Sequence, residues 1–253
     1  MDKFDVMLLF FAVCFTFFMV ASLFYLYVVA GESWNLVFQS LFDERIIGAL
    51  WVSVSSAFIV GVLAIGAAIP TAYILTYREF MGKELIETLL IEFPQTFPPA
   101  TVGLVYLFMF GLGSPINIAY TYPAVLVAKF YVAAPFAMSF TVRRFREIKR
   151  TGLDLIAKSL GGKTKHVLSW ILIPLSRRDL LAGFSLTWAR AMGEVAATLI
   201  FAGAIPWKTE IFPAVVYLAS IEKPQLALAA SVVASILSII ALLSFKWIVR
   251  KRE

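Results

Sequence analysis

The sequence predicts an all-α integral membrane protein with six transmembrane helices and both termini on the cytoplasmic side. Three observations lead to this fold class: the 253 residues are 61% hydrophobic and 15% charged, six apolar runs reach membrane-spanning length, and the basic residues gather on one side of these runs. A soluble domain is about half apolar and about a quarter charged, so this chain is too apolar to cover its own surface in water. We treat residues 1–253 as a single transmembrane domain.

The six apolar runs each have the length of about 20 residues that a membrane-spanning helix needs. The first is longer than the apolar core of a secretory signal peptide, so we expect it to be retained as a helix. The third carries Glu92 and three prolines, which predicts a kinked or interrupted helix inside the bundle, where neighbouring protein satisfies the freed carbonyls. The runs are Met7–Ala30, Ile46–Leu75, Leu89–Leu112, Tyr122–Val142, Leu180–Ile205 and Leu226–Val249.

The distribution of Lys and Arg orients these spans. With both termini inside, 17 of the 22 basic residues fall on inner segments, and only Arg45, Lys208 and Lys223 fall on outer loops. Cytoplasmic loops carry such an excess, which predicts a multi-pass protein of the inner, cytoplasmic cell membrane. The net charge of +6 then follows from topology, and we expect no nucleic-acid partner.

A long inner loop, about residues 143–179, separates the fourth and fifth spans. Apolar residues recur with a helical period at Leu153, Ile156 and Leu160, and two glycines follow. This pattern predicts two short helices joined by a glycine turn. An apolar face that lipid does not cover favours a docked cytosolic partner, and a solvated basic loop that only holds the orientation is the alternative.

Chemistry by this chain itself is not expected. The tripeptide Gly-Lys-Thr at 162–164 is similar to the end of a phosphate-binding loop, but Ala157 stands where that loop needs its first glycine. Cys14 and His166 are the only residues of their kind, too few for a zinc or haem site. No base accompanies a candidate nucleophile within a span, which excludes an intramembrane serine enzyme.

The inner loop resembles the coupling loop of ABC importer permeases. Their signature runs Glu-Ala-Ala, three residues, Gly, nine residues, Ile-x-Leu-Pro, and the spacing here fits it. The resemblance implies that Asp154, Ala157, Gly161, Ile171 and Pro174 couple the chain to an ATPase. The compared positions are Leu155, Ile156 and Ala157 for Glu-Ala-Ala, Gly161 for Gly, and Ile171, Ile173 and Pro174 for the last group.

Two further stretches resemble the oxyanion permeases within that superfamily. Glu92–Leu104 is similar to their broken third-span motif, and Trp188–Pro206 to the fifth span of the molybdate/tungstate and sulfate permeases. Where that group carries Gly-Glu-Phe-Gly-Ala and Gly-Asn-Ile-Pro-Gly, this chain has Gly-Glu-Val-Ala-Ala from 193 and Gly-Ala-Ile-Pro-Trp from 203. The resemblance extends from about Ile46 to the C-terminus.

The resemblance implies the fold of an ABC type I importer permease and the membrane-spanning role in ATP-driven import of a tetrahedral oxyanion. Molybdate or tungstate is favoured, with sulfate or thiosulfate as the alternative. The implied partners are a second copy of the chain, two cytoplasmic ATPase subunits that use ATP and Mg, and an extracytoplasmic oxyanion-binding protein. The chain itself would bind no cofactor. An ATP-independent secondary transporter would show paired interrupted helices, and only the third span looks interrupted.

Four side chains are candidates for the translocation path or gate. Arg190 and Glu194 are four residues apart in the fifth span and can pair on one helix face. Ionisable groups at membrane depth face a bundle interior or a cavity, so the pair either neighbours the path or locks helix packing. Thr101 and Thr198 are expected to line the path through their hydroxyls, as is Ser185.

Two other ionisable side chains lie in predicted spans. Lys129 is about a third of the way down the fourth span and is expected to extend to the outer surface. Glu92 lies near the inner end of the third span and is expected to reach the headgroup region.

Overall fold

The computed structural model describes residues 2–31, 34–40 and 42–250, without the side chains of Leu36, Ser40 and residues 240–250. Lys251 and Arg252, which count toward the predicted inner face, lie outside the described residues. Across the described ranges the regular structure is helical, with no strand, which confirms the all-α prediction.

The chain divides into two compact units, and the first consists of Met1–Ile47 and Val215–Trp247. Its helices are α1 (Lys3–Gly31), α2 (Trp34–Ser40) and α14 (Pro224–Arg250), with most of α13 (Phe212–Glu222). Side chains of α1, α2 and α14 form one small buried cluster that contains Ala30, Val37 and Val232. Most of α1 exposes apolar side chains along its length, as expected of a helix surrounded by lipid.

The second unit, Gly48–Ala214 with Ile248–Glu253, contains every candidate site residue. Two apolar clusters hold it together, one among α6, α7 and α12, and the other between α3, α7 and the segment after α7. The helices are α3 (Glu44–Tyr77), α4 (Lys83–Ile91), α5 (Phe93–Thr96), α6 (Pro99–Phe110), α7 (Tyr122–Thr151), α8 (Leu153–Ser159), α9 (Thr164–His166), a π-helical segment (Val167–Leu172), α10 (Ile173–Leu175), α11 (Arg177–Met192) and α12 (Ala196–Ala202).

Three helices of the described chain are long and apolar enough to cross a membrane, namely α1, α3 and α7. They match the first, second and fourth predicted spans. Three apolar helical segments are shorter, namely α6, α13 and Pro224–Ile239 of α14. The count of six spans and their orientation stay predictions.

The third predicted span is interrupted, as the prolines indicate. The helix breaks after Thr96, where Phe97 and Pro98 are extended, and α6 starts at Pro99. The fifth span is also interrupted, because α11 ends at Met192 and α12 begins at Ala196. The prediction of one continuous helix there, and of a single interrupted span, was wrong.

Two loop predictions also change. The helix of the fourth span does not stop at Val142, since α7 continues to Thr151 and ends at Gly152, whose φ is +73°. The first residues of the predicted inner loop are therefore helical. Between the fifth and sixth predicted spans, where the sequence predicted only a loop, lies α13.

Candidate functional site

The segment after α7 forms a helical hairpin that turns at two glycines. Gly161 has φ of +84°, a left-handed conformation that is cheap only for glycine. The Gly162 N–H donates to the Ala157 carbonyl oxygen at 2.8 Å, and a Cβ on Gly162 would lie 2.5 Å from that oxygen. The structure thus shows the helix, glycine turn and second helix that the spacing predicts.

Part of the signature of the hairpin faces the bundle. Ala157 and Ile171 pack against the cluster of α3 and α7 side chains that includes Leu75 and Phe145. Pro174 lies in α10 and is half-buried. The π-helical segment between α9 and α10 buries Val167 and Leu172 in the same cluster. These residues hold the hairpin against the membrane-spanning helices.

Asp154 lies at the start of α8 and is 2% exposed. Its Oδ2 is 3.4 Å from Lys158 Nζ, while its Oδ1 has no hydrogen-bond partner among the described residues. Lys158 Nζ lies 5.4 Å from the ring centroid of Tyr77, and Lys149 Nζ lies 5.5 Å from it, both within reach of a cation–π contact. We call Tyr77, Lys149, Lys158 and Asp154 the Tyr77 clamp, which ties α3, α7 and α8 together.

The opposite face of the hairpin is apolar and exposed. Leu160 is 83% exposed, and Leu155 and Ile156 are each more than half exposed. We call Leu153, Leu155, Ile156 and Leu160 the hairpin face. The helical period identified three of the four, whereas Leu155 looked only like a departure from the signature. The signature positions therefore divide into two groups: Ala157 and Ile171 anchor the hairpin, whereas Leu155 and Ile156 are exposed and available to a partner.

The two interrupted helices meet just beyond their breaks. A Cβ on Gly103 of α6 would lie 2.6 Å from the carbonyl oxygen of Ala197 in α12, so the two backbones are in direct contact. Val102 and Phe201 are buried in the cluster between these helices. The absence of a side chain at Gly103 is what permits this approach.

Arg190 and Glu194 form an ion pair at the break between α11 and α12. The distance from Arg190 Nη1 to Glu194 Oε2 is 3.0 Å, and the Ala197 N–H donates to Glu194 Oε1 at 2.9 Å. The Glu194 side chain is 2% exposed and that of Arg190 33%. The pair forms as the spacing suggests, but Glu194 lies beyond the end of α11 and caps the first turn of α12.

Lys129 is fully buried, so the prediction that it extends to the outer surface was wrong. Its Nζ donates to Ser56 Oγ at 2.8 Å and approaches the Ser53 carbonyl oxygen at 3.5 Å. Ser53 Oγ in turn accepts the Phe212 N–H at 2.7 Å. The Lys129 ammonium group thus finds hydrogen-bond acceptors on α3 inside the bundle. It does not need to extend to the surface to be solvated.

Lys129→Met should leave the free energy of unfolding within about 1.5 kcal/mol of wild type, because methionine fills a similar volume without a buried charge. Lys129→Ala should lower it by about 2–4 kcal/mol through the cavity it leaves. Ser56 keeps a bond to the Ser53 carbonyl oxygen in both variants. Thermal unfolding of the purified chain in detergent measures the difference. Equal losses in the two variants would mean that the ammonium group itself holds α3 and α7 together.

The predicted path hydroxyls differ in exposure and in hydrogen bonding. Thr101 is exposed on α6, while Thr198 is buried on α12 with no hydrogen-bond partner for its hydroxyl within the described chain. Ser185 Oγ donates to the Leu181 carbonyl oxygen of its own helix. Their role in a path stays a prediction. Glu92 is exposed, between α4 and α5.

No family model matches the chain. The probable transport system permease protein NifC of Clostridium pasteurianum is 27% identical over 85% of this chain and 78% of its own length. The sulfate transport system permease protein CysT of Escherichia coli is 27% identical over 81% of this chain and 77% of its own. A probable molybdenum ABC transporter permease protein of Haloferax volcanii is 32% identical over 63% of this chain and 61% of its own.

Solved structures of ABC transporters contain chains with a similar fold. A chain of a bacterial ABC transporter that imports the acidic polysaccharide alginate superposes with a TM-score of 0.77 at 12% identity, over 98% of this chain and 95% of that one. A chain of the methionine ABC transporter MetNI, in an inward-facing conformation, gives a TM-score of 0.63 at 16% identity, over 81% and 95%. At these identities the likeness establishes the fold alone.

Proposed function

We propose that this chain, a homologue of ABC transport permeases for molybdate/tungstate and for sulfate, is the membrane-spanning subunit of an ATP-driven oxyanion importer. Its cargo is molybdate or tungstate, with sulfate as the alternative. It lies in the cytoplasmic membrane, where a second copy completes the pore and a binding protein delivers the anion from outside. ATP and Mg are used by two separate ATPase subunits, and this chain binds no cofactor.

The observation that carries the proposal is the exposed hairpin face, on a hairpin whose other side packs against α3 and α7. Leu155, Ile156 and Leu160 are exposed next to Lys158, in a segment predicted to lie in the cytosol. A contiguous apolar surface of this kind in water marks a protein interface. Because Ala157 packs against the cluster of α3 and α7 and Lys158 lies over Tyr77, a partner bound to the hairpin face can move the bundle.

The Tyr77 clamp supplies the connection. Lys158 of α8 and Lys149 of α7 both lie over the Tyr77 ring at the inner end of α3, and Lys149 Nζ also donates to the Thr76 carbonyl oxygen at 2.7 Å. A push on α8 therefore acts on both α3 and α7. Closure of the ATPase subunits would rotate the two halves of the transporter in this way and alternate access to the anion.

Tyr77→Ala should reduce ATP-driven uptake about fivefold or more, because removing the ring takes away the surface that both ammonium groups contact and loosens α8 from α3. Tyr77→Phe should transport normally, since the ring is kept and the buried hydroxyl has no partner among the described residues. Initial uptake rates in proteoliposomes measure both. A similar loss in the phenylalanine variant would assign the effect to the hydroxyl and contradict the clamp.

In this transporter Arg190 lies beside the translocation path, and Glu194 partly neutralises its charge. Arg190 remains a third exposed, whereas Glu194 is enclosed. A pore for a hydrated dianion must bind weakly enough to release it, and a neutralised arginine meets that condition better than a bare cation. Selection of the anion then falls to the binding protein.

The decisive experiment combines purification with transport. The chain, extracted from native membranes, should bring down an ATPase in equal number, and vesicles should take up labelled molybdate only with internal ATP and the binding protein. Labelled sulfate in the same vesicles separates the two cargoes. Uptake that persists without ATP would overturn the proposal in favour of a secondary transporter, which the two interrupted helices also suit.

A further inference from the structure

A cavity of about 470 Å³ opens between α4 and α7 in the second unit. The proposed transport cycle does not use it. Its wall from α7 carries Arg143, Arg146 and Arg150, which recur at three- and four-residue spacing and so share one face of the helix. Ile91 of α4 and Val142 of α7 form the apolar part of its lining.

The cavity has an excess of positive charge. Arg146 pairs with Glu87 of α4, and Arg143 Nε lies 3.5 Å from Glu147 Oε1. Arg150 is exposed, and no carboxylate of the described residues lies within ion-pair distance of it. Three arginines therefore face two carboxylates, and the third guanidinium is available to an anion.

The apolar side of the cavity continues onto α4. Leu85, Ile86, Leu89 and Leu90 of this helix are all exposed, and Ile91 follows them into the cavity. By the predicted topology, α4 leads from the inner side into the third span, which begins at Leu89, and Arg143 marks the point where α7 leaves the membrane. The arginines then lie at headgroup level, with the apolar surface towards the acyl chains.

We propose that this cavity binds an anionic phospholipid of the inner leaflet. The lipid phosphate bonds to Arg150 and the neighbouring arginines, and an acyl chain lies along Ile91, Val142 and the exposed side of α4. Basic pockets between spanning helices on the cytoplasmic side suit such headgroups. A free oxyanion would need the arginines alone and would gain nothing from the apolar surface, so the combination favours a lipid.

The test is native mass spectrometry of the full chain in detergent, titrated with dioleoyl phosphatidylglycerol and with dioleoyl phosphatidylcholine. Wild type should retain the anionic lipid preferentially. Arg150→Gln should weaken its binding about fivefold, and adding Arg143→Gln and Arg146→Gln should weaken it further by a similar factor for each residue. Binding of the zwitterionic lipid should not change.

A matched control removes the same charge elsewhere, by changing Lys163, Lys165 and Arg177 to Gln, all exposed and outside the cavity. Equal loss of phosphatidylglycerol in the control would reduce the effect to net charge and overturn the site. Displacement of the lipid by millimolar inorganic phosphate would make it a simple anion site. Unchanged lipid binding together with loss of a co-purifying ATPase from the arginine variant would make it a protein contact.

Discussion

Glu194→Ala is expected to lower the free energy of unfolding by about 3 kcal/mol. The substitution leaves the Ala197 N–H without its buried acceptor and Arg190 without its counter-charge. It also removes the cap of α12 at a break that no proline enforces. Thermal unfolding in detergent, together with the yield of folded chain, measures the loss.

Two further variants show what the carboxylate does. Glu194→Gln keeps an oxygen acceptor for the Ala197 N–H and should recover part of the stability. A chain with both Arg190→Leu and Glu194→Ala lacks the unpaired charge and should recover more, since an apolar pair replaces a buried ion pair at little cost. If the double variant is no more stable than Glu194→Ala, capping rather than pairing is the main role of Glu194.

The same double variant separates packing from transport. Should it fold well and still import the anion, the pair serves only to lock α11 to α12. Should it fold well and fail to import, Arg190 acts on the anion or on the gate. Arg190 is both paired and a third exposed, so the loss or retention of import in a well-folded double variant decides between the two roles.

The sequence predicts a helix break where the break is local and misses it where the cause is tertiary. At Pro98 and Pro99 the chain itself cannot continue the helix, so the interruption before α6 follows from the residue types. At Gly193 nothing in the chain forbids continuation. There the distant partner is Gly103 of α6, whose missing side chain lets the Ala197 backbone at the start of α12 pack against it.

Lys129 and α13 were missed for related reasons. Lys129 bonds to Ser53 and Ser56, which lie on another helix and are far away in sequence. In the hydrophobicity pattern Lys129 therefore looks like an isolated cation, and the pattern predicts that its side chain extends to the membrane surface. The helix Phe212–Glu222 has 11 residues, too few for the spanning length that identified the other helices.

The hairpin was predictable in outline because its period and its glycines are local. Its sidedness was not, because Leu153, Ala157 and Leu160 are apolar alike, and only contact with α3 and α7 decides which of them is covered. The residues that pack against the bundle are Ala157 in α8 and, after the glycine turn, Val167, Ile171 and Leu172. The large side chains of α8 are exposed. This division makes the hairpin face testable without disturbing the fold.

Leu160→Glu is expected to abolish copurification of the ATPase and to reduce ATP-driven uptake at least about tenfold. A carboxylate placed in an apolar interface must be desolvated without a partner, and a loss of about 1.4 kcal/mol already means a tenfold weaker complex. The fold should survive, because Leu160 is 83% exposed. Pull-down of the ATPase, uptake in vesicles and thermal unfolding, measured on one preparation, separate the effects.

Leu112→Glu is the matched control. Leu112 is 88% exposed and is the last residue of the third predicted span, at its outer end, so the same substitution at a similar exposure should leave ATPase binding unchanged. If Leu160→Glu binds the ATPase and imports at the wild-type rate, the hairpin face is not the docking surface. If both variants lose the ATPase, the orientation is at fault, because residues on opposite sides of the membrane cannot contact the same cytoplasmic subunit.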